Sequence, residues 1–122
     1  MAEIFTSEGI VYEEQVGYKK WPEIKQALGK DRKKFDFVVN TSEKTFLIEV
    51  NFYSGEGSKL NEVARAYTEL ASKINSIPGF EFIWITDGKG WDEAKSKLQE
   101  AFESIPGVYN LTSISDFISR LK

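Results

Sequence analysis

Two consecutive hydrophobic segments each carry one acid at their centre, and this pairing narrows the folds open to the chain. The first is Lys34-Phe35-Asp36-Phe37-Val38-Val39 and the second Phe46-Leu47-Ile48-Glu49-Val50-Asn51-Phe52, joined by Asn40-Thr41-Ser42-Glu43-Lys44. A short polar connection between aromatic and β-branched runs reads as a β-hairpin. Neighbouring strands lie roughly 4.8 Å apart, so Asp36 and Glu49 can approach closely enough to share one divalent cation. Desolvating an unpartnered carboxylate is costly, and a shared cation is one way to offset that cost. Strict alternation puts Phe35, Phe37 and Val39 on one face and Asp36 and Val38 on the other. In the second segment Leu47, Glu49, Asn51 and Tyr53 share a face. Periodicity alone leaves two readings open, a convergent polar site or the solvent-facing side of an antiparallel sheet.

The rest of the composition limits the chemistry. A chain of 122 residues, 41% hydrophobic and 29% charged, suits a single domain spanning 1–122 with one core. No apolar run is long enough to cross a bilayer, and Met-Ala-Glu-Ile-Phe-Thr-Ser-Glu has neither the basic nor the apolar region of a signal peptide. A cytoplasmic location is the expectation. The chain has no cysteine and no histidine, which removes disulfides, thiolate sites, Ser-His-Asp and Cys-His catalysis and the usual zinc sites. Metal chemistry would have to use carboxylates and carbonyls, which favour Mg²⁺, Mn²⁺ or Ca²⁺. A net charge of −3 argues against holding nucleic acid mainly through a basic surface. It leaves room for a nuclease whose acids are offset by bound metal.

The remaining segments predict a mixed α/β architecture. Ile10 to Val16 alternates loosely as a strand, and Pro22 opens a short helical turn that Leu28-Gly29 closes. Ser54-Gly55-Glu56-Gly57 is a glycine-rich loop, after which Ser58 is suited to cap a helix from Lys59 to about Ser76. Leu60, Val63, Ala64, Tyr67, Leu70, Ala71 and Ile74 recur at helical spacing along it, and Pro78-Gly79 ends it. Phe80 to Thr86 is a nearly continuous hydrophobic strand, as expected where both faces are covered. Asp87-Gly88-Lys89-Gly90 leads to a helix from Trp91 to about Ser104, stopped by Pro106-Gly107. Val108 to Leu111 reads as a short edge strand, and Ser113 as the cap of a last helix carrying Ile114, Phe117, Ile118 and Leu121. The expected fold is a central mixed β-sheet flanked by helices.

Asp36, then Glu49-x-Asn51, resembles the metal-binding signature of the PD-(D/E)xK nuclease superfamily, with Asn51 where that signature has lysine and Phe35 where it often has proline. A longer set of residues is more specific. Lys34-Phe35-Asp36-Phe37-Val38, Ile48-Glu49-Val50-Asn51-Phe52-Tyr53, Gly57-Ser58-Lys59-Leu60-Asn61-Glu62 with Ala64-Arg65, and Phe80-Glu81-Phe82 with Thr86-Asp87-Gly88-Lys89-Gly90-Trp91 together are similar to the catalytic portion of the DpnII/MboI family. Members of that family are type II restriction endonucleases that cut duplex DNA at GATC. The similarity runs from about Gly9 to Leu111, and asparagine after the second acid is the family's own pattern.

The resemblance implies a restriction-endonuclease-like core and a Mg²⁺-dependent endonuclease in which Mn²⁺ can substitute. Asp36, Glu49 and the carbonyl of Val50 would hold the metal, which would bind the scissile phosphate and acidify a water. Asn51 would position that water, and Lys59 would supply a positive charge near the phosphate. Glu62 would add a supporting contact or a weak second metal ligand and Arg65 would meet a phosphate, although an i,i+3 ion pair between them explains the spacing equally well. Ser58 and Lys89 are weaker DNA-contact candidates. Cutting both strands of a palindrome implies a C2 homodimer on double-stranded DNA. The superfamily's leading helix is expected to be short or missing, since only eight residues precede Gly9. The alternatives are a domain that keeps the fold and binds DNA or protein without cutting, and a junction-resolving nuclease of the same superfamily.

Overall fold

The hairpin forms the middle of a sheet ordered β1-β2-β3-β4-β5. The computed structural model describes residues 1–29, 34–52, 58–88, 99, 103 and 105–122, with the backbone alone at 58–61. The strands are β1 (Glu13–Gly17), β2 (Lys34–Asn40), β3 (Thr45–Phe52), β4 (Phe80–Asp87) and β5 (Val108–Tyr109). The first three pair antiparallel, whereas β4 and β5 are added in parallel. The α-helices whose bounds are described are α1 (Ala2–Ser7), α2 (Pro22–Leu28), α3 (Ser58–Asn75) and α4 (Ile114–Leu121), a 3₁₀ turn (Tyr18–Lys20) precedes α2, and Gln99 and Glu103 are also helical. This is the mixed sheet with flanking helices that the sequence predicts. Among the described residues no helix is long and apolar enough to cross a membrane. The helix expected from Trp91 to about Ser104 lies outside the described residues except at Gln99 and Glu103.

Side-chain alternation along β3 and β4 divides the helices between the two faces. Leu47, Phe82 and Trp84 pack with Ile24 and Leu28 of α2 and with Ala64, Ala71 and Ile74 of α3. Phe46, Ile48, Ile83 and Ile85 pack with Phe5 of α1 and with Phe117 and Ile118 of α4. β4 therefore serves two cores at once, and Phe82, Ile83, Trp84 and Ile85 are all fully buried. This double burial accounts for its unbroken hydrophobic run.

Local chemistry sets most boundaries. Pro22 occupies the start of α2, and Gly29 ends it at a φ of 61° with its N–H on the Lys25 carbonyl, a conformation glycine adopts without strain. The Asn75 side-chain oxygen at the end of α3 accepts the Phe82 N–H at 2.8 Å, which ties the helix to β4. Two expectations shift. β1 begins three residues later than Ile10, because the Ile10 N–H is committed to the Phe5 carbonyl at the end of α1. Ser113 precedes α4 without a side-chain cap, since its hydroxyl accepts the Asn110 N–H while the Asn110 side chain accepts the Ser113 N–H.

Glu81, which pairs in register with Phe46, secures the end of the sheet far from the hairpin acids. It is 8% exposed. Arg120 holds it with two nitrogens at 2.8 and 2.9 Å, and Lys44 at 3.0 Å. Burial opposes the charged carboxylate, but the hydrogen bonds and positive charges of Arg120 and Lys44 outweigh it and hold the Glu81 pKa below its ordinary value. Glu81 in return holds the guanidinium of Arg120 firmly protonated. A two-pronged arginine–carboxylate contact is among the stronger polar interactions a surface helix can make with a sheet.

Because the folded-state pKa is lowered, this contribution is complete above the unfolded carboxylate pKa and fades as pH falls through the folded value. Glu81→Gln should cost about 1–3 kcal/mol at neutral pH. Urea unfolding at neutral and at strongly acidic pH should show the difference between variant and wild type shrinking on acidification. A pH-independent difference would mean that the ion cluster does not supply it.

Candidate metal centre

Asp36 interrupts the alternation of β2, and that irregularity builds the site. Phe35 and Val38 belong to the core beneath α2 and α3, whereas Phe37 and Val39 belong to the opposite core. The expectation that Phe35, Phe37 and Val39 share a face is therefore corrected: the strand turns over between Phe35 and Phe37. β1 turns over with it. Val16 pairs with Phe35 and Glu14 with Phe37, and between them Gln15 has a φ of 51°. A positive φ at a non-glycine residue is uncommon and strained. Here it lies across from Asp36.

On the other side of β2, regular pairing with β3 runs from Asn40↔Thr45 to Phe37↔Ile48. At the next residue the Asp36 side chain takes over, and its Oδ2 accepts the Val50 N–H at 2.9 Å. A strand amide that would otherwise lack a partner is satisfied by a carboxylate, and Asp36 is thereby fixed beside the residue that follows Glu49. Glu49 itself is 2% exposed. It lies on the α3 side of β3 and is in register with Trp84 of β4.

Asn51, two residues on, shares that face. Its Oδ1 accepts the Trp84 indole N–H at 3.0 Å. Indole is a donor only, so the bond fixes which end of the amide faces the ring. The reversed amide would set two donors against each other, at a cost of about 1–3 kcal/mol. Trp84 is fully buried, and Tyr67 of α3 meets its ring edge-on at 5.0 Å. The hydrophobic run from Phe80 to Thr86 places Trp84 in a buried strand and gives no sign of a polar contact. Its link to Asn51 depends on the parallel register of β3 and β4, which no local pattern encodes.

The structure thus seats Asp36 on the Val50 N–H, next in the chain to buried Glu49, and ties Asn51 to Trp84. Lys59 lies in the first turn of α3, where only the backbone is described, and the same holds for Ser58. Glu62 and Arg65 are both exposed on α3, and among the described residues no ion pair joins them. Lys89 lies outside the described residues. Asp87, at the end of β4, accepts the Gly88 and Leu111 N–H groups at 2.7 and 3.0 Å, which ties β4 to the segment after β5.

Among the described residues no group of three or more Asp, Glu, His or Cys gathers in one place. A cation at the kink would therefore draw on two carboxylates and supplementary backbone oxygen. That donor set, all oxygen and including a glutamate almost wholly removed from solvent, fits Mg²⁺ or Mn²⁺.

Comparison with known proteins decides the family. The DpnII restriction endonuclease family matches residues 3–120. The chain belongs to that family. It is 52% identical over 118 residues to the type II restriction enzyme MboI of Moraxella bovis, covering 97% of this chain and 42% of that protein. It is 51% identical over 86 residues to the type II restriction enzyme DpnII of Streptococcus pneumoniae, covering 70% of this chain and 30% of the relative. For the type II restriction enzyme MjaIII of Methanocaldococcus jannaschii the figures are 46% over 101 residues, 80% and 34%. The chain thus spans less than half the length of each of these relatives. No solved structure matches it.

The hydrogen bond of Asp36 to the Val50 N–H can be measured apart from any binding of metal. Asp36→Ala leaves the Val50 N–H unsatisfied and should cost about 1–3 kcal/mol, whereas Asp36→Asn retains an acceptor and should cost less than about 1 kcal/mol. Both variants should lose any Mn²⁺-induced rise in melting temperature. Urea unfolding in chelator and thermal unfolding with Mn²⁺ measure the two effects separately. Equal destabilisation by both variants would contradict the assigned hydrogen bond.

Proposed function

We propose that the chain is the metal-dependent nuclease core of a restriction enzyme, hydrolysing phosphodiester bonds of double-stranded DNA. The observation that carries this reading is the Asp36 carboxylate seated on the Val50 N–H beside buried Glu49. It sets two acids and a strand backbone at one row of the sheet. Asp36, Glu49 and the Val50 carbonyl would hold Mg²⁺, with Mn²⁺ able to replace it. Such a cation supplies Lewis-acid stabilisation of phosphate charge and makes water a stronger nucleophile.

The chain's own groups do the remaining work. The buried wall formed by Trp84 keeps bulk water from one side of Glu49, which strengthens electrostatic interactions there. Asn51 is a neutral amide: it can orient a reactant but cannot remove the proton of the attacking water. Lys59 follows β3 at the start of α3, where a lysine is disfavoured by the helix dipole, and it is assigned the positive charge beside the phosphate. Arg65 and Glu62, further along the helix, are assigned a backbone contact and its support, and Ser58 and Lys89 weaker DNA contacts. Membership of the family supports GATC as the sequence cut, and a palindromic target calls for two active sites in a C2 dimer.

The test is cleavage of an unmethylated plasmid containing GATC sites, with Mg²⁺ and with Mn²⁺, beside the Glu49→Ala variant. Discrete fragments ending at GATC, reduced at least about 100-fold in the variant, are the expected result. Nicking without sequence preference, also lost in the variant, would keep the metal site and place base reading in residues outside this chain. Cleavage unaffected by Glu49→Ala, or no cleavage, would overturn the proposal in favour of a domain that binds without cutting.

A further inference from the structure

We infer that Asn51 acts as a hydrogen-bond donor to the phosphate, and that Trp84 is the positioning residue that holds its amide in that orientation. The inference rests on the nuclease reading above and deepens it. The indole N–H of Trp84 can only donate, and it occupies the Asn51 Oδ1 at 3.0 Å. The Asn51 amide therefore presents its NH₂ end away from the ring. Trp84 cannot easily turn to release it. The side chain is fully buried, is in register with Glu49 on the neighbouring strand, and is braced edge-on by Tyr67, which also meets Phe82 at 5.5 Å.

The polarity of that NH₂ group selects its partner. A donor directed away from a buried wall, two residues from Glu49 on the same strand face, complements the anionic oxygens of a phosphodiester. Toward the attacking water the same donor would engage a lone pair that the reaction itself needs, so the phosphate oxygens are the better acceptor, and the water-positioning role expected for Asn51 gives way to this one. Asn51 thus contributes the donor function without a charge, and the orientation is set by a residue that itself touches neither DNA nor metal. Loss of a donor to developing charge typically lowers a rate by about 10²–10³-fold. Loss of the element that merely orients the donor should cost less.

Two substitutions test this in the intact protein under single-turnover conditions at saturating Mg²⁺. Replacing the Trp84 indole by its benzothiophene isostere puts sulfur in place of N–H and keeps the ring shape. This should lower the cleavage rate by about tenfold and leave the Mn²⁺ binding midpoint and the melting temperature near wild type. Asn51→Asp keeps an acceptor toward the indole but exchanges the outward donor for an acceptor, and should lower the rate by about 100-fold. An indole ¹H–¹⁵N resonance, assigned by its loss in Trp84→Phe, should shift in Asn51→Ala as the hydrogen bond disappears. An isostere that cleaves at the wild-type rate, or Asn51→Asp cleaving at least as fast as wild type, would overturn the inference while leaving the nuclease reading intact. Absence of Glu49-dependent cleavage by the unmodified protein would overturn both.

Discussion

Asp36, on an inner strand, is accommodated by the sheet's own hydrogen bonding, because its carboxylate replaces a ladder partner. Its Oδ2 accepts the Val50 N–H, so the amide loses nothing by the break in regular pairing. The distortions of β2 and β1 accompany that substitution. β2 turns over at Asp36, so that Phe35 and Phe37 enter opposite cores. β1 absorbs the matching distortion at Gln15, in a strained backbone conformation. Strain of this kind persists where surrounding packing enforces it and often coincides with function.

The acids of the sheet divide by what compensates them. Glu81 is balanced by two cations and closes one end of the structure. Asp87 is occupied by two backbone N–H groups and closes a turn. Asp36 accepts the Val50 N–H at the irregular row of the hairpin, and Glu49 beside it is almost wholly removed from solvent. The same residue type thus fastens elements to one another in β4 and completes the strand's own hydrogen bonding at Asp36.

Much of the architecture is legible in the sequence because it is local. The hairpin turn, Pro22 and Gly29 around α2, the apolar stripe of α3 and the doubly buried β4 each follow from a short pattern. The late start of β1 and the exchange between Ser113 and Asn110 are not legible, since they depend on which of several available polar partners wins. The kink at Asp36 is hidden for a related reason: strict alternation is the default for any strand, and the departure arises only when β1 and β3 are both in place. Family resemblance identified the acids and Asn51, but it gave no view of Trp84. That contact joins residues 33 apart in sequence and exists only through the β3–β4 register.

Where a divalent cation binds decides whether the hairpin acids form a metal site. Crystals of the protein soaked in Mn²⁺ and measured by anomalous diffraction answer this without reference to activity. The prediction is one strong peak within bonding distance of the Asp36 and Glu49 carboxylates and the Val50 carbonyl, with the Asn51–Trp84 hydrogen bond intact. A peak at other acids such as Asp87 or Glu62, with none at the kinked row, would contradict it.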